Sequence, residues 1–282
     1  MDNAINFESI AFGKRVRSML KVDIRRMLKS RLFYILIACA LLVPIVMTVM
    51  LTMMDGTVPI DQQTGLPGEP IEGPEYVWES IGGLPSDNQT MGMPEGDAAA
   101  QMGEMDVLAM CNINMVFMGV AVFVCLFISD DFRSGYAKNL FTVRAKKGDY
   151  VISKTVSGFI CGALMLISYL IGAMLGGSIS GLSFDMVGFT SFNVVMCMLA
   201  KIFLMLVFVS IFTLISVAAK QKAWLSICGS LGGGMLLFMM IDSITPLTST
   251  PMNLLLCVAG GVLFAVGLGA ISNAVLKKTS LV

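Results

Sequence analysis

Histidine is absent from the 282 residues. That absence excludes HExxH metalloprotease chemistry, serine–histidine dyads and histidine metal centres. No GxxxxGK[ST] cradle occurs either, so the chain has no such route to a nucleotide phosphate. Charge is scarce: Asp, Glu, Lys and Arg make up 13% of the chain against 56% hydrophobic residues and a mean hydropathy of +0.82. Soluble proteins carry about 25% charge. The stretch 55–106 has no Lys or Arg at all, and no two of the seven cysteines have CxxC spacing. All seven cysteines lie in or beside apolar runs, so they read as small buried hydrophobes rather than a disulfide framework. No Asp or Glu falls in the middle of an apolar run. The intramembrane carboxylate on which ion-coupled carriers and proton pumps usually depend is therefore missing. A catalytic role for the chain is disfavoured.

What is present is a set of long apolar runs separated by segregated charge. Residues 32–54 carry no charge, enough to cross a bilayer core with some tilt. Eight cations precede that run: Lys14, Arg15, Arg17, Lys21, Arg25, Arg26, Lys29 and Arg31. After it come eleven carboxylates without a cation: Asp55, Asp61, Glu69, Glu72, Glu75, Glu79, Asp87, Glu95, Asp97, Glu104 and Asp106. Cationic flanks stay in the cytoplasm, which puts the N-terminus inside and the acidic segment outside. Further runs at 107–129, 155–179, 199–219, 223–241 and 252–276 complete six expected spans. Their cytoplasmic ends are marked by Lys220, Lys222, Lys277 and Lys278, and their outer turns by Asp185 and Asp242.

The expected fold is therefore an all-α membrane protein forming one transmembrane domain over 1–282. Six transmembrane helices follow a cytoplasmic amphipathic leader (1–31), and a long acidic outer loop (55–106) joins helices one and two. Both termini face the cytoplasm, and no cleavable signal is expected. In the leader, Val16, Met19, Leu20, Ile24 and Met27 recur at helical spacing with Lys14, Arg15, Arg17, Lys21, Arg25 and Arg26 between them. This reads as an interfacial helix on anionic lipid, or one docking on a partner. The acidic loop contains Pro59, Pro67, Pro70, Pro74, Pro85 and Pro94 and is expected to be extended or weakly structured. Residues 180–198 read as an outer turn followed by a partly interfacial stretch. Because the basic residues lie against spans, nucleic acid is not an expected partner.

Several features carry two readings. Lys201 is the one ionisable group inside an apolar run. It is either a substrate contact facing the bundle interior or a snorkelling side chain at the outer end of its span, the favoured reading. The pairs Gly158/Gly162, Gly172/Gly176 and Gly229/Gly233 suit close helix packing, within the bundle or between subunits. The outer methionines Met91, Met93, Met102, Met105 and Met110 have no histidine or cysteine beside them in the loop, so no metal site is expected. Asn88-Gln89-Thr90 fits a glycosylation triplet that matters only in a secretory pathway.

The cytoplasmic loop 130–154 contains DDFRSGYAKNLFTVRAKKGDYVISK. It combines paired acids, clustered bases and a helix-capable stretch flush against two spans, which suits a docking element. It resembles the segment after the second span in permease subunits of type-2 ABC transporters, a mostly export-directed bacterial family. There an acid and an aromatic are followed by a glycine, a Leu-rich helical turn, a basic residue and a lysine opening span three. The matching positions are Asp131, Phe132, Gly135, Leu140, Lys147 and Lys154. The basic leader, six spans and inward termini are similar to that family too.

The resemblance implies a non-catalytic permease in the cell membrane, dimerising with a second copy or a homologue and exporting an amphipathic peptide, lipid or drug-like molecule. ATP and Mg would be bound by a separate ABC ATPase subunit, with no cofactor on this chain. Coupling to that subunit falls to the loop, with Asp131 and Arg133 setting loop geometry or touching the partner. Gly135 would allow a tight helix approach, while Arg144, Lys146, Lys147 and Lys154 would make charge contacts with partner or lipid. Two other classes stay open: a membrane sensor or immunity protein whose acidic loop binds a cationic, antimicrobial-type peptide without transport, and a channel or carrier working alone.

Overall fold

A computed structural model describes residues 12–53, 73–82, 112–143, 146–182, 184, 188–220, 222–238 and 240–278. Among them every regular element is a helix, and no strand occurs. In chain order these are α1 (Phe12–Lys29), α2 (Arg31–Met53), α3 (Gly73–Gly82), α4 (Met115–Arg133) and α5 (Tyr136–Val143). They continue with α6 (Lys147–Ile179), α7 (Ser191–Ala219), α8 (Ala223–Phe238), α9 (Ile241–Ile244) and α10 (Pro251–Lys278). Five helices, α2, α4, α6, α7 and α10, are long and apolar enough to cross a membrane. The chain is thus an all-α, multi-pass membrane protein in architecture.

α4 is the most enclosed of the five and α10 the least. α4, α6 and α7 form the centre, with α2 along α6, α10 along α7 and α8 against both α4 and α7. Phe117, Phe123, Phe208 and Phe212 fill the middle of the bundle, all essentially inaccessible. The glycine pairs are spent inside the bundle. A methyl group on Gly172 would lie 2.2 Å from the Leu41 carbonyl oxygen and 2.8 Å from the Pro44 ring, so α6 meets the α2 backbone where Pro44 sits within its helix. Thr48 donates its hydroxyl hydrogen to the Pro44 carbonyl at 2.6 Å. Gly158 and Gly162 give way in the same manner to Val209 and Met205 of α7.

Several elements differ from the expectation, among them α4, which begins at Met115 and not at 107 and runs on to Arg133. α6 begins at Lys147, eight residues before the expected start of span three, so most of the second half of the 130–154 loop is helix. α7 begins at Ser191 and runs unbroken for 29 residues; the expected interfacial stretch is simply its first turns, because nothing in SFNVVMCML interrupts a helix. α8 ends at Phe238 after 16 residues, about 24 Å against about 30 Å of hydrocarbon, and α9 follows it. The acidic segment, expected to lack packed structure, contains α3, whose Val77, Trp78 and Ile81 are buried. Trp78 meets Phe184 and Phe189 edge-on at centroid distances of 6.1 and 5.1 Å. An apolar i, i+1, i+4 triplet among the prolines was the missed signal. The rest of 55–106 apart from α3, with its methionines and Asn88, lies outside the described residues, as do Arg144 and Asp185.

Two turns set the geometry at the end of the bundle nearest α1. Gly135, at φ +74°, links α4 to α5 in a left-handed conformation, and nothing approaches within 4 Å of where its Cβ would be. It serves backbone conformation and not the close helix approach expected of it. Lys220 takes φ 55° and ψ −116°, and the Lys222 amide donates to the Ala219 carbonyl at 3.2 Å. The left-handed Lys220 and this bond fold α8 back on α7.

Candidate functional site

α1 is helical because its apolar residues recur every three or four positions, and it buries one face on the start of α6. Met19 and Met27 are buried there, and between them at the same phase lies Asp23, fully inaccessible. An acid on the apolar stripe of a helix otherwise rich in cations needs a partner. It has two. Lys154 of α6 places its Nζ 2.7 Å from Asp23 Oδ1 and 2.7 Å from Asp131 Oδ2 of α4. Arg26 closes the set from α1, with Nη2 2.6 Å from Asp131 Oδ1 and Nη1 3.7 Å from Asp23 Oδ1.

Two hydroxyls complete it. Tyr150 donates to Asp131 Oδ2 at 3.0 Å and Ser153 to Asp23 Oδ2. Two carboxylates and two cations thus cancel in a buried cluster that joins three helices. Aromatic faces cover both of its cations. Lys154 Nζ lies 3.9 Å from the Phe127 ring centroid, and Arg26 Cζ lies 4.3 Å from that of Tyr136 at the head of α5. Such contacts strengthen when the cation is desolvated. Burial opposes the Arg26 charge, but Asp131 and Asp23 outweigh it, leaving the guanidinium above its ordinary pKa. Tyr136 is also pushed up, first by burial and then by Asp23 and Asp131, against the pull of Arg26.

Outlying contacts brace the cluster. Arg15 pairs with Asp149 at 2.9 Å, a second tie between α1 and α6. Lys147 donates to the carbonyl of Leu276 at 2.7 Å, pinning the end of α10 to the start of α6. Phe132, Phe141 and Tyr150 pack edge-to-face between α4, α5 and α6.

The structure therefore sorts the expected site residues. Asp131, Phe132 and Lys154 are buried, and Arg26 and Leu140 partly so. Lys154 cannot reach a partner or lipid as expected; its ammonium is committed to two internal carboxylates. The Asp131 carboxylate is fully buried against Arg26, Lys154 and Tyr150. Arg133 and Lys146 are exposed, with Lys147 intermediate. On the leader, Lys14, Arg17, Lys21 and Arg25 are exposed while Arg15 and Arg26 turn inward. Asp23 was missed by sequence reasoning, although its phase with Met19 and Met27 was there to be read.

Lys201 lies at the opposite end of the bundle, and it does not snorkel. Its side chain is fully buried, and Nζ donates to Asn114 Oδ1 at 3.0 Å and Thr245 Oγ1 at 3.1 Å. Asp242 Oδ1 lies 4.0 Å away. The sequence gives no spacing by which Asn114 or Thr245 could be linked to it. About halfway along α4, Cys125 bonds with Ser230 and Ser216, a small polar seam binding α4, α7 and α8. No group of three or more metal-ligating side chains occurs among the described residues.

Comparison of the chain with protein-family models, curated proteins and solved structures finds no match.

Proposed function

We propose that the chain is the membrane-spanning permease subunit of an ATP-driven exporter, energised by a separate ATPase at its cytoplasmic face. In this reading α8 is also a crossing, which gives six spans with both termini inside, and two copies or a copy and a homologue form the pathway. The cargo is an amphipathic peptide, lipid or drug-like molecule.

The observation that carries the reading is the buried ion cluster. A loop that only satisfied topology would need nothing beyond exposed cations. Here α5 stacks Tyr136 on Arg26, and Arg26 is held by carboxylates of both α1 and α4, with Lys154 extending the hold to α6. A push on α5 from a soluble partner would be delivered to three helices together, since packed charges of this kind have few alternative arrangements. The exposed cations Arg133, Lys138 and Lys146 provide the outward surface for that partner. Alternation between inner- and outer-open states would then be a population shift driven by the partner's nucleotide state.

The test is reconstitution. The chain in liposomes should be inert alone, and should move cargo only with a co-purifying ATPase and ATP. Transport or nucleotide hydrolysis by the chain unaided would defeat the proposal.

A further inference from the structure

The cluster around Lys201 belongs to the end of the bundle remote from α1, and nothing in the coupling scheme uses it. Its chemistry is that of a clasp. Lys201 lies ten positions into α7, about 15 Å along the helix at 1.5 Å per residue, yet the connection between α8 and α10 descends to meet it. Thr245 accepts from the ammonium and passes its own hydroxyl hydrogen to the Ile241 carbonyl at 2.8 Å. Asn114, at the head of α4, accepts from Lys201 through its carbonyl oxygen and donates its amide to Asp242. Asp242 is the only one of the four that reaches water, with 36% of its side chain exposed while that of Lys201 has none. The ammonium is thus sealed beneath a carboxylate that faces out.

The seal continues into α3. The Ile113 amide, immediately before Asn114, donates to the Ser80 carbonyl at 2.8 Å. Gly82 fits against Leu247, two positions after Thr245, with no space for a side chain. One turn from Lys201, the Cys197 thiol donates to the Thr245 carbonyl at 3.2 Å and is fully buried. Opening this end would have to break the Lys201–Asp242 attraction, because α4, α7 and the α9 connection share no other charged link among the described residues.

We propose that Lys201, Asn114, Asp242 and Thr245 form an ionic latch that holds this end of the bundle closed, with α3 as the cap bonded to it. The inference stands apart from the coupling reading, since it needs neither a partner nor a nucleotide. It is tested by the rate at which Cys197 is alkylated by a membrane-impermeant maleimide, supplied on the side away from α1 to the full-length chain in proteoliposomes and read by peptide mass mapping. Asp242→Asn keeps the shape and removes the charge; Asp242→Glu keeps the charge. Cys161, fully buried within α6, reports any general loosening. The latch predicts about tenfold faster labelling of Cys197 in Asp242→Asn, the scale on which loss of a partly buried ion pair shifts a two-state population, with Asp242→Glu near the parent rate and Cys161 unchanged. Parent-like labelling of Cys197 in Asp242→Asn would overturn the proposal. So would a parallel rise at Cys161, which would mean that the bundle as a whole had opened.

Discussion

At the scale of single residues, the cluster at the α1 end is governed by arithmetic of sign. Asp23 and Asp131 balance Arg26 and Lys154, all held within a few ångströms, with Asp23, Asp131 and Lys154 closed from water and Arg26 partly so. Removing one member leaves a net buried charge, whereas removing an opposite pair leaves a neutral one. Lys154→Met should therefore destabilise the chain by about 3–5 kcal/mol, the usual cost of orphaning a buried charge. The double change Asp23→Asn with Arg26→Met alters more atoms but should cost clearly less, since the Asp131–Lys154 pair survives intact. Thermal unfolding in detergent ranks the two, and the opposite order would mean that packing, not charge balance, dominates the site. Tyr136 adds a pH dependence. Its folded pKa lies above the ordinary 10.0, so its contribution is fully present below pH 10 and is lost as pH rises through the folded value. The difference in stability between the parent and Tyr136→Phe should be flat at neutral pH and shrink in the parent's disfavour on the alkaline side; a pH-independent difference would show that the hydroxyl is solvated.

At the scale of helices, glycine has opposite value at two positions of the same residue type. Gly172 is where α6 touches the α2 backbone, and the obstructing atom is a carbonyl oxygen at 2.2 Å that cannot rotate aside. Gly172→Ala should cost about 1–3 kcal/mol through overpacking. Gly267 on α10 has open space around it, so Gly267→Ala should gain up to about 1 kcal/mol from helix propensity alone. Unfolding of the two variants in parallel separates packing from propensity. These elements also show what could be read in advance. Helix existence was legible because apolar runs of twenty or more have one structural outcome in a bilayer. Where helices stop was not: α6 starts at Lys147 because Lys147–Lys154 is amphipathic and lies on α1, a tertiary contact without a local mark. The short α8 is likewise set by the α9 connection reaching down to Lys201, and the burial of α3 depends on Phe184 and Phe189 more than a hundred residues away.

For the whole molecule, the two ends of the bundle are built differently, and charge segregation in the sequence already separates them. The leader and the 130–154 loop were readable as a joint surface from composition, but which residues turn outward was not. Asp131 and Lys154 look like surface charges beside a span until α1 is folded over them, and Lys201 looks like a snorkelling lysine until Asn114 and Thr245 arrive from elsewhere in the chain. The consequence for function is that folding and coupling can be separated by one variant. Asp23→Asn with Arg26→Met preserves the neutral Asp131–Lys154 pair and hence the fold, but it takes away the guanidinium on which Tyr136 of α5 rests. It leaves Arg133, Lys138 and Lys146 exposed and untouched. Under the proposed function, a partner ATPase should still bind this variant and still hydrolyse ATP, while cargo flux per ATP falls by about tenfold, as expected when a coupling free energy near 1.4 kcal/mol is lost. Flux and hydrolysis measured on the same proteoliposomes give the ratio directly. An unchanged ratio in a well-folded variant would place force transmission somewhere other than the Tyr136–Arg26 contact, because no other described side chain of α5 touches the cluster through a cation.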